Sequence, residues 1–181
     1  SDYHGVPNFA GTCGQLCLKY FAEKTKKKQS RRALDLGCAI GRTSFELARE
    51  FDHVDGIDFS ARFVSAATQL KENDSKRYTI RDEGDLFSFK ETSLAEHGLA
   101  ATAHKCDFWQ GDACNLSDKF NNYDLVFAGN LIDRLYEPDK FVSRIQELIN
   151  EDGLLVITSP YTWLSEFTEP DNWIGGYKRD G

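Results

Sequence analysis

A glycine-containing turn between a strand-like and a helix-like segment is the first feature of this sequence that could do chemistry. The apolar, β-prone run 33–36 contains Asp35 and is followed by Gly37 and Gly41, and the segment 42–50 then has a helical pattern. Glycine lets the backbone approach a ligand where a Cβ atom would clash, and strand, glycine turn and helix together are a typical nucleotide-binding arrangement. The sequence therefore predicts a ligand site at this turn.

Two further acidic residues, Asp58 and Asp112, stand at or near the ends of predicted strands. Ligands of open α/β sheets bind at the carboxyl ends of the strands, so these side chains and Asp35 should converge on one crevice. An acidic side chain at the end of the second strand of a βαβ unit can accept hydrogen bonds from both ribose hydroxyls. For Asp58 an ordinary strand-end turn is the alternative, and the glycine turn beside it favours the functional interpretation.

The spacing of the glycines separates this turn from the phosphate-binding motifs. It follows the pattern Gly-x-x-x-Gly, unlike the Gly-x-Gly-x-x-Gly of dinucleotide folds, and no Gly-Lys-Ser/Thr sequence of a P-loop follows it. No neighbouring lysine is present to hold a phosphate group. A cofactor with a ribose and an adenine but no phosphates fits this turn better than a dinucleotide.

The elements that position these residues alternate between strands and helices. Strands are expected at residues 31–36, 53–58, 103–110, 122–128 and 154–158, helices at 9–28, 43–51, 61–72 and 138–149, a hairpin around 78–80 and 86–89, and a turn at 150–153. Ser60 is expected to cap the helix that follows it. This alternation predicts an α/β fold with a mostly parallel sheet and helices on both faces.

The composition is that of a globular chain with an acidic balance. Its 181 residues are 40% hydrophobic and carry a formal net charge of −7, which disfavours nucleic acid as a partner. No apolar run approaches the roughly 20 residues needed to span a bilayer, and no signal peptide is visible. Five scattered cysteines favour a reducing compartment over a disulfide framework or a metal site. We therefore expect a cytoplasmic protein with no membrane, nucleic-acid or metal partner.

Taken in order, the three motifs resemble those of the class I S-adenosylmethionine-dependent methyltransferases. The resemblance covers residues 30–160 and implies a Rossmann-like fold, with S-adenosylmethionine as cofactor and S-adenosylhomocysteine as product. In that family the glycine turn lies beside the amino-acid part of the cofactor. The residue matching Asp58 holds the ribose, the one matching Asp112 binds the adenine amino group, and the one matching Asn130 lies near the sulfonium and the acceptor. The cofactor-binding residues implied in this way are Asp35, Gly37, Cys38, Ala39, Gly41, Asp58, Phe59, Ser60, Asp112, Ala113 and Asn130.

A narrower resemblance extends the match to the acceptor side. Similarity to the C-terminal methyltransferase domain of ovothiol synthases is carried by residues 34–47, 56–60, 111–116, 130–135, 158–164 and 173–176. Those domains methylate an imidazole nitrogen of 5-thiohistidine to form ovothiol A. The resemblance implies this acceptor, and as partner an iron-dependent sulfoxide synthase domain that is fused to this chain or works with it.

A free amino acid as acceptor brings a carboxylate and an ammonium group that the site has to hold. Arg134 is the candidate for bidentate pairing with the carboxylate. Asp133 is the candidate for holding the ammonium or orienting the imidazole N–H, and with Asn130 it is the expected catalytic pair. Candidates for enclosing the acceptor are Tyr161, Trp163, Tyr3 and His4. The alternatives remain open: Arg134 as a surface residue, Trp163 as a core residue and His4 as merely exposed.

We expect one methyltransferase domain over residues 1–181. It consists of an N-terminal loop and helix (1–29), a cofactor-binding core (30–160) and an acceptor-side loop (161–181). Class I methyltransferases usually have two further strands, and the sequence after 176 is too short for them, so those C-terminal strands are expected to be missing. Two other functions stay open, namely methylation of a different small metabolite and a non-catalytic cofactor-binding module of a larger synthase.

Overall fold

A parallel sheet with helices on both faces forms the centre of the computed structural model, which describes residues 8–24 and 30–178. The helices are α1 (Phe9–Lys24), α2 (Arg42–Leu47), α3 (Ala61–Asn73) and α4 (Pro138–Leu148). The strands are β1 (Arg32–Leu36), β2 (His53–Asp58), β3 (Ser75–Glu83), β4 (Leu86–Ser93), β5 (Cys106–Gln110), β6 (Tyr123–Gly129) and β7 (Ile149–Thr158).

The strand order in the sheet is β5-β2-β1-β6-β7, and all four pairings are parallel. The order reverses at β1, which pairs with β2 on one side and with β6 on the other. In open α/β sheets this switch point is where the connections diverge and leave a crevice for a ligand. The predicted fold, a mostly parallel sheet with helices on both faces, is confirmed.

Each face of the sheet has its own apolar core. Alternate residues of a strand point to opposite faces, so Ala33 packs with α1, α2 and α3, whereas Leu34 packs with α4. In the central strands β1 and β6, residues 33–36 and 123–128 are all buried. Burial on both faces explains why these segments are almost continuously apolar in sequence.

Most of the predicted elements are present, and three differ in extent. The helix predicted at 43–51 ends at Leu47. The strand predicted at 103–110 begins only at Cys106, because residues 100–105 form a 3-10 helix. Strand β7 begins at Ile149, which pairs with Tyr123 before the pairing resumes at Leu154. The turn predicted at residues 150–153 is therefore a bulge inside this strand.

The predicted hairpin is confirmed, and its strands β3 and β4 are longer than expected. The two strands form a separate antiparallel sheet. Strand β3 packs along α3, and the side chain of Phe89 in β4 is 81% exposed. Within residues 159–178 no strand follows β7. No helix in the described ranges combines the length and the apolar character that crossing a membrane requires.

Helix α1 packs on α2 at a very short distance because it presents glycine there. A Cβ atom at Gly14 would lie 2.6 Å from the Cβ of Glu46. The carboxylate of Glu46 is buried and lies between two guanidinium groups, 2.9 Å from Arg42 and 2.8 Å from Arg49. A buried charge that is paired in this way is costly to displace. The contact between Gly14 and Glu46 therefore sets how closely α1 approaches the helix that begins directly after the glycine turn.

Replacement of Gly14 by alanine should destabilise the chain by about 1–3 kcal/mol, because neither helix backbone can give way without moving Glu46. Urea unfolding measures this loss. Gln15→Ala, at an exposed position of α1, is the matched control. It changes no contact between the two helices and should alter the stability by less than about 0.5 kcal/mol. Equal stability of the two variants would contradict the close approach.

Candidate active site

The turn after β1 has a left-handed backbone that its sequence makes possible. The φ angles are 74° at Gly37, 49° at Ala39 and 87° at Gly41, a region that glycine adopts readily and alanine rarely. The N–H groups of Gly37 and Cys38 both donate to the carbonyl oxygen of Ile57, at 2.8 and 3.1 Å. The turn is thereby fixed to the end of β2 and directs its remaining backbone toward the edge of the sheet.

Asp58 accepts hydrogen bonds from both sides of this edge. The N–H of Ala39 donates to Oδ2 and the N–H of Ser60 donates to Oδ1, each at 2.9 Å. Ser60 stands at the predicted N-cap position of α3, although its side chain makes no capping bond. Since each carboxylate oxygen has two acceptor sites, Asp58 retains the capacity to accept from a diol.

A cavity of about 580 Å³ lies across the switch point. It collects residues from the ends of all five strands of the sheet or from the segments after them, namely Gly37, Asp58, Asp112, Arg134 and Phe167. Predicted cofactor residues that also line it are Phe59 and Ala113. Three motifs that are far apart in sequence therefore meet in one cavity, as the strand-end argument predicts.

The lining fits a nucleoside cofactor that carries no phosphate. Asp58 and Asp112 offer oxygen acceptors suited to ribose hydroxyls and an amino group. Arg134 is the one cationic side chain that the described residues contribute to the lining. At Gly37 a Cβ atom would project to within 3.3 Å of the Leu131 side chain, so glycine keeps the backbone open to a ligand here.

Asp112 is held by two donors from different parts of the chain. The N–H of Cys114 donates to Oδ1 at 2.8 Å, and the hydroxyl of Tyr136 donates to Oδ2 at 2.7 Å. This bond to the carboxylate raises the pKa of Tyr136 to about 12. Tyr136 was not predicted from the sequence, where its only signal is its place in the loop after a buried strand.

Asp35 lies beneath the turn and not in the cavity. Its side chain is 1% exposed and accepts a hydrogen bond of 2.6 Å from the Ser44 hydroxyl on α2. Burial raises the pKa of Asp35 to about 7, although the hydrogen bonds from Ser44 act in the opposite direction. The expected direct contact of Asp35 with the cofactor is therefore corrected to support of the turn from below.

Cys38 is also turned inward. Its thiol is buried, and burial followed by the charge of Asp35 raises its pKa above the ordinary value.

Asn130 has a φ of 51° and lies just after β6. Its N–H donates to the carbonyl oxygen of Thr158 at 2.8 Å, and its side-chain oxygen accepts from the Thr158 hydroxyl at 3.1 Å. Asn130 thus joins the ends of β6 and β7 beside the cavity.

Asp133 is fully buried and holds the loop that carries Arg134. Its carboxylate accepts from the Ser159 hydroxyl at 3.1 Å, from the Thr162 N–H at 3.2 Å and from Arg134 Nη1 at 2.9 Å. With 0% of its side chain exposed, Asp133 does not reach the cavity. The expected contact of this side chain with the acceptor is corrected to a positioning role.

The residues expected to enclose the acceptor have different positions. Tyr161 is 87% exposed. Trp163 stacks on Trp173 with ring centroids 6.3 Å apart. Neither Tyr161 nor Trp163 is among the described residues that line the cavity, whereas Phe167 and Glu166 are. Tyr3 and His4 lie outside the described residues.

A second cavity of about 430 Å³ lies between α2, α3 and the hairpin. Its floor is formed by buried apolar side chains, among them Phe45, Leu70 and Leu99. None of the described residues that form it also lines the cavity at the switch point. The chemistry is assigned to the switch-point cavity because the predicted motifs converge only there within the described ranges.

Comparison with known proteins gives a family match over most of the chain. A family model described as "Methyltransferase domain" matches residues 27–172. Phosphoethanolamine N-methyltransferase 1 of Arabidopsis thaliana is 42% identical over 62 residues, 34% of this chain and 13% of that protein. Ajmaline N-methyltransferase of Rauvolfia serpentina is 26% identical over 145 residues, 80% of this chain and 40% of that protein. The chain therefore spans less than half the length of either relative.

The fold also resembles solved structures. A methyltransferase from Clostridium acetobutylicum described as S-adenosylmethionine-dependent has a TM-score of 0.59 at 16% identity, over 86% of this chain and 52% of that one. Phosphoethanolamine N-methyltransferase 2 of Haemonchus contortus, in complex with S-adenosyl-L-methionine, has a TM-score of 0.55 at 24% identity, over 82% of this chain and 28% of that one. At these identities the likeness concerns the fold.

The raised pKa of Asp35 should appear as a pH-dependent stability. The native state holds this proton up to about pH 7, whereas the unfolded chain releases it near pH 4. The contribution to stability is therefore complete below about pH 4 and is lost as the pH rises through 7. The difference in unfolding free energy between Asp35→Asn and the wild type should therefore shift by about 2–3 kcal/mol in favour of the variant as the pH rises from 5 to 8.

Urea unfolding at a series of pH values tests this change in slope. Asp85→Asn, at a fully exposed carboxylate of the hairpin turn, is the matched control and should keep the wild-type profile. If the pH profile of Asp35→Asn ran parallel to that of the wild type, Asp35 would be ionised in the native state throughout this range.

Proposed function

Since this chain belongs to the family of methyltransferase domains, we propose that it is a class I S-adenosylmethionine-dependent enzyme that methylates a ring nitrogen of 5-thiohistidine. This reaction is the last step in the formation of ovothiol A. The methyl donor is S-adenosylmethionine. In this proposal the chain is fused to, or works with, an iron-dependent sulfoxide synthase domain.

The observation that supports this acceptor best is a pre-organised guanidinium group in an otherwise acidic cavity. Arg134 lines the cavity together with Asp58, Asp112 and Glu166. An amino-acid acceptor carries a carboxylate, and Arg134 is the group in the described lining that can attract it. Acidic side chains in the same cavity suit a cationic cofactor and the ammonium group of the acceptor.

The contacts of Arg134 leave one edge of its guanidinium for a ligand. Nη1 donates to Asp133 and, at 2.6 Å, to the carbonyl oxygen of Thr162, and Nη2 donates to the Thr162 hydroxyl at 2.9 Å. The Phe167 ring lies 5.1 Å from the guanidinium carbon. Nε and the second N–H of Nη2 have no partner in the described ranges. These two groups form the side-on edge that binds a carboxylate through two parallel hydrogen bonds.

In the proposed complex, Asp58 holds the ribose, Asp112 holds the adenine amino group and the glycine turn lies beside the amino-acid part of the cofactor. S-adenosylmethionine supplies an electrophilic methyl group, so the acceptor nitrogen has to lie about 3 Å from it, opposite the sulfur. Arg134 and Asn130 lie on the loop that could hold the acceptor in this position. Positioning by these side chains supplies most of the rate in this proposal.

The proton balance needs no strong base. The free imidazolium of histidine has a pKa of about 6.5, so most of the imidazole is neutral near pH 7 and its unprotonated nitrogen is nucleophilic. When this nitrogen bonds to the methyl carbon, the carbon–sulfur bond breaks and its electron pair stays on sulfur. The methylated imidazolium then loses the proton of its other ring nitrogen to water. The burial of Asp133 is consistent with this scheme, since no carboxylate has to reach the ring.

A turnover assay with a panel of acceptors tests the proposal. The chain is incubated with S-adenosylmethionine and with 5-thiohistidine, histidine or phosphoethanolamine, and mass spectrometry follows the methylated product and S-adenosylhomocysteine. We expect turnover of 5-thiohistidine in preference to the other two. Preference for phosphoethanolamine would replace the acceptor, and binding of the cofactor without turnover of any of them would indicate a non-catalytic module.

Arg134→Lys should raise the KM for the acceptor roughly 10- to 100-fold, because lysine keeps the charge but loses the two parallel hydrogen bonds. The KM for S-adenosylmethionine should stay within about twofold. Steady-state kinetics with each substrate varied in turn separates the two effects. Arg144→Lys on α4 is the matched control, since Arg144 pairs with the exposed Asp118. Equal changes in both KM values would contradict the role of Arg134 at the acceptor.

A further inference from the structure

The hydroxyl of Tyr136 is the one side-chain group that the described part of the structure brings to the carboxylate of Asp112. The donor and acceptor oxygens are 2.7 Å apart, a short distance typical of an O–H donor with an ionised acceptor. Both residues line the cavity. Tyr136 comes from the loop between β6 and α4, whereas Asp112 follows β5, so the bond joins connections on opposite sides of β2 and β1.

The two donors to Asp112 together fix the plane of its carboxylate. The N–H of Cys114 holds Oδ1 from the same turn, a common arrangement for aspartate, but this bond alone leaves Oδ2 free to move. The Tyr136 hydroxyl holds Oδ2. Each oxygen still has an acceptor site in the carboxylate plane, so the orientation of the pair determines where an incoming N–H group can bind.

Tyr136 is itself held in place through its backbone. Its carbonyl oxygen accepts from the Asn172 side chain at 3.1 Å, and that of Leu135 accepts from the buried Thr168 hydroxyl at 2.6 Å. The Cys114 thiol lies 3.3 Å from the carbonyl oxygen of Glu137. The loop and the Asp112 turn are thus joined at two points. A ring that is anchored in this way can act as a fixed donor, although 46% of the Tyr136 side chain is exposed.

We infer that Tyr136 is a positioning residue for the adenine end of the cofactor, which orients Asp112 so that its carboxylate selects a base with an exocyclic amino group. This inference rests on the proposed contact of Asp112 with the adenine amino group. Tyr136 acts through Asp112 and touches no reacting atom. Its phenol keeps its proton over the working range, since its pKa is raised to about 12.

Calorimetry with two ligands and three proteins tests the inference. The ligands are S-adenosylhomocysteine and its analogue in which hydrogen replaces the 6-amino group of adenine. The proteins are the wild type, Tyr136→Phe and the control Tyr20→Phe, whose hydroxyl lies on the exposed part of α1. Tyr136→Phe should weaken the binding of S-adenosylhomocysteine about five- to tenfold, the usual effect of the loss of one hydrogen bond. It should change the affinity for the analogue by less than about twofold.

The pattern across the two ligands separates positioning from general structural support. Equal weakening of both ligands, or no weakening of either, would overturn the role of Tyr136. Tighter binding of S-adenosylhomocysteine by Tyr136→Phe would overturn it as well, because the hydroxyl would then compete with the amino group for Asp112. If the wild type itself does not distinguish the two ligands, the assignment of Asp112 to the adenine fails, and this outcome is separate from the failure of Tyr136. Thermal midpoints of all three proteins verify that the variants are folded.

Discussion

The hydrogen bond between the N–H of Ala39 and the carboxylate of Asp58 is the interaction on which the site depends. A left-handed alanine costs roughly 1–2 kcal/mol, and a hydrogen bond to a charged group returns about as much. The bond ties the turn after β1 to the end of β2, where Asp58 also caps the start of α3 through Ser60. Asp58, the proposed ribose acceptor, and the backbone of the turn are therefore fixed relative to each other before any ligand binds.

The loop after β6, on the proposed acceptor side, is held by a different set of contacts. Four consecutive residues of the loop after β6 are each bonded to the segment 159–172. The pairs are Asp133 with Ser159 and Thr162, Arg134 with Thr162, Leu135 with Thr168, and Tyr136 with Asn172. A change in this segment can therefore alter the position of Arg134 and leave the turn after β1 in place. Because Tyr136 also bonds to Asp112, the segment supports both Arg134 and the proposed adenine end of the cofactor site, whereas the turn after β1 is held independently of it.

The sequence predicted best what local rules determine. Buried strands such as 123–128 follow from continuous apolar runs, and Gly37, Asp58 and Asp112 follow from their places at strand ends. Asp133 and Tyr136 could not be assigned in this way. Asp133 is adjacent in sequence to Arg134 but faces inward, because Ser159 and Thr162 surround its carboxylate. The role of Tyr136 depends on a contact with Asp112, and no local pattern records a pairing between two loops.

The lining of the cavity carries charges of both signs. Asp58, Asp112 and Glu166 favour positive groups, and Arg134, turned toward the cavity by Asp133 and Thr162, favours a negative one. A sulfonium cofactor is cationic before the methyl group leaves and uncharged at sulfur afterwards. The attraction of each carboxylate for the sulfur, about 1 kcal/mol per charge pair at 4 Å in water and more in a partly enclosed cavity, is lost at that step, because the positive charge passes to the acceptor nitrogen in the proposed reaction. The acidic lining should therefore hold the donor more tightly than its demethylated form, so that the carboxylates proposed to bind the cofactor also assist the release of its spent form.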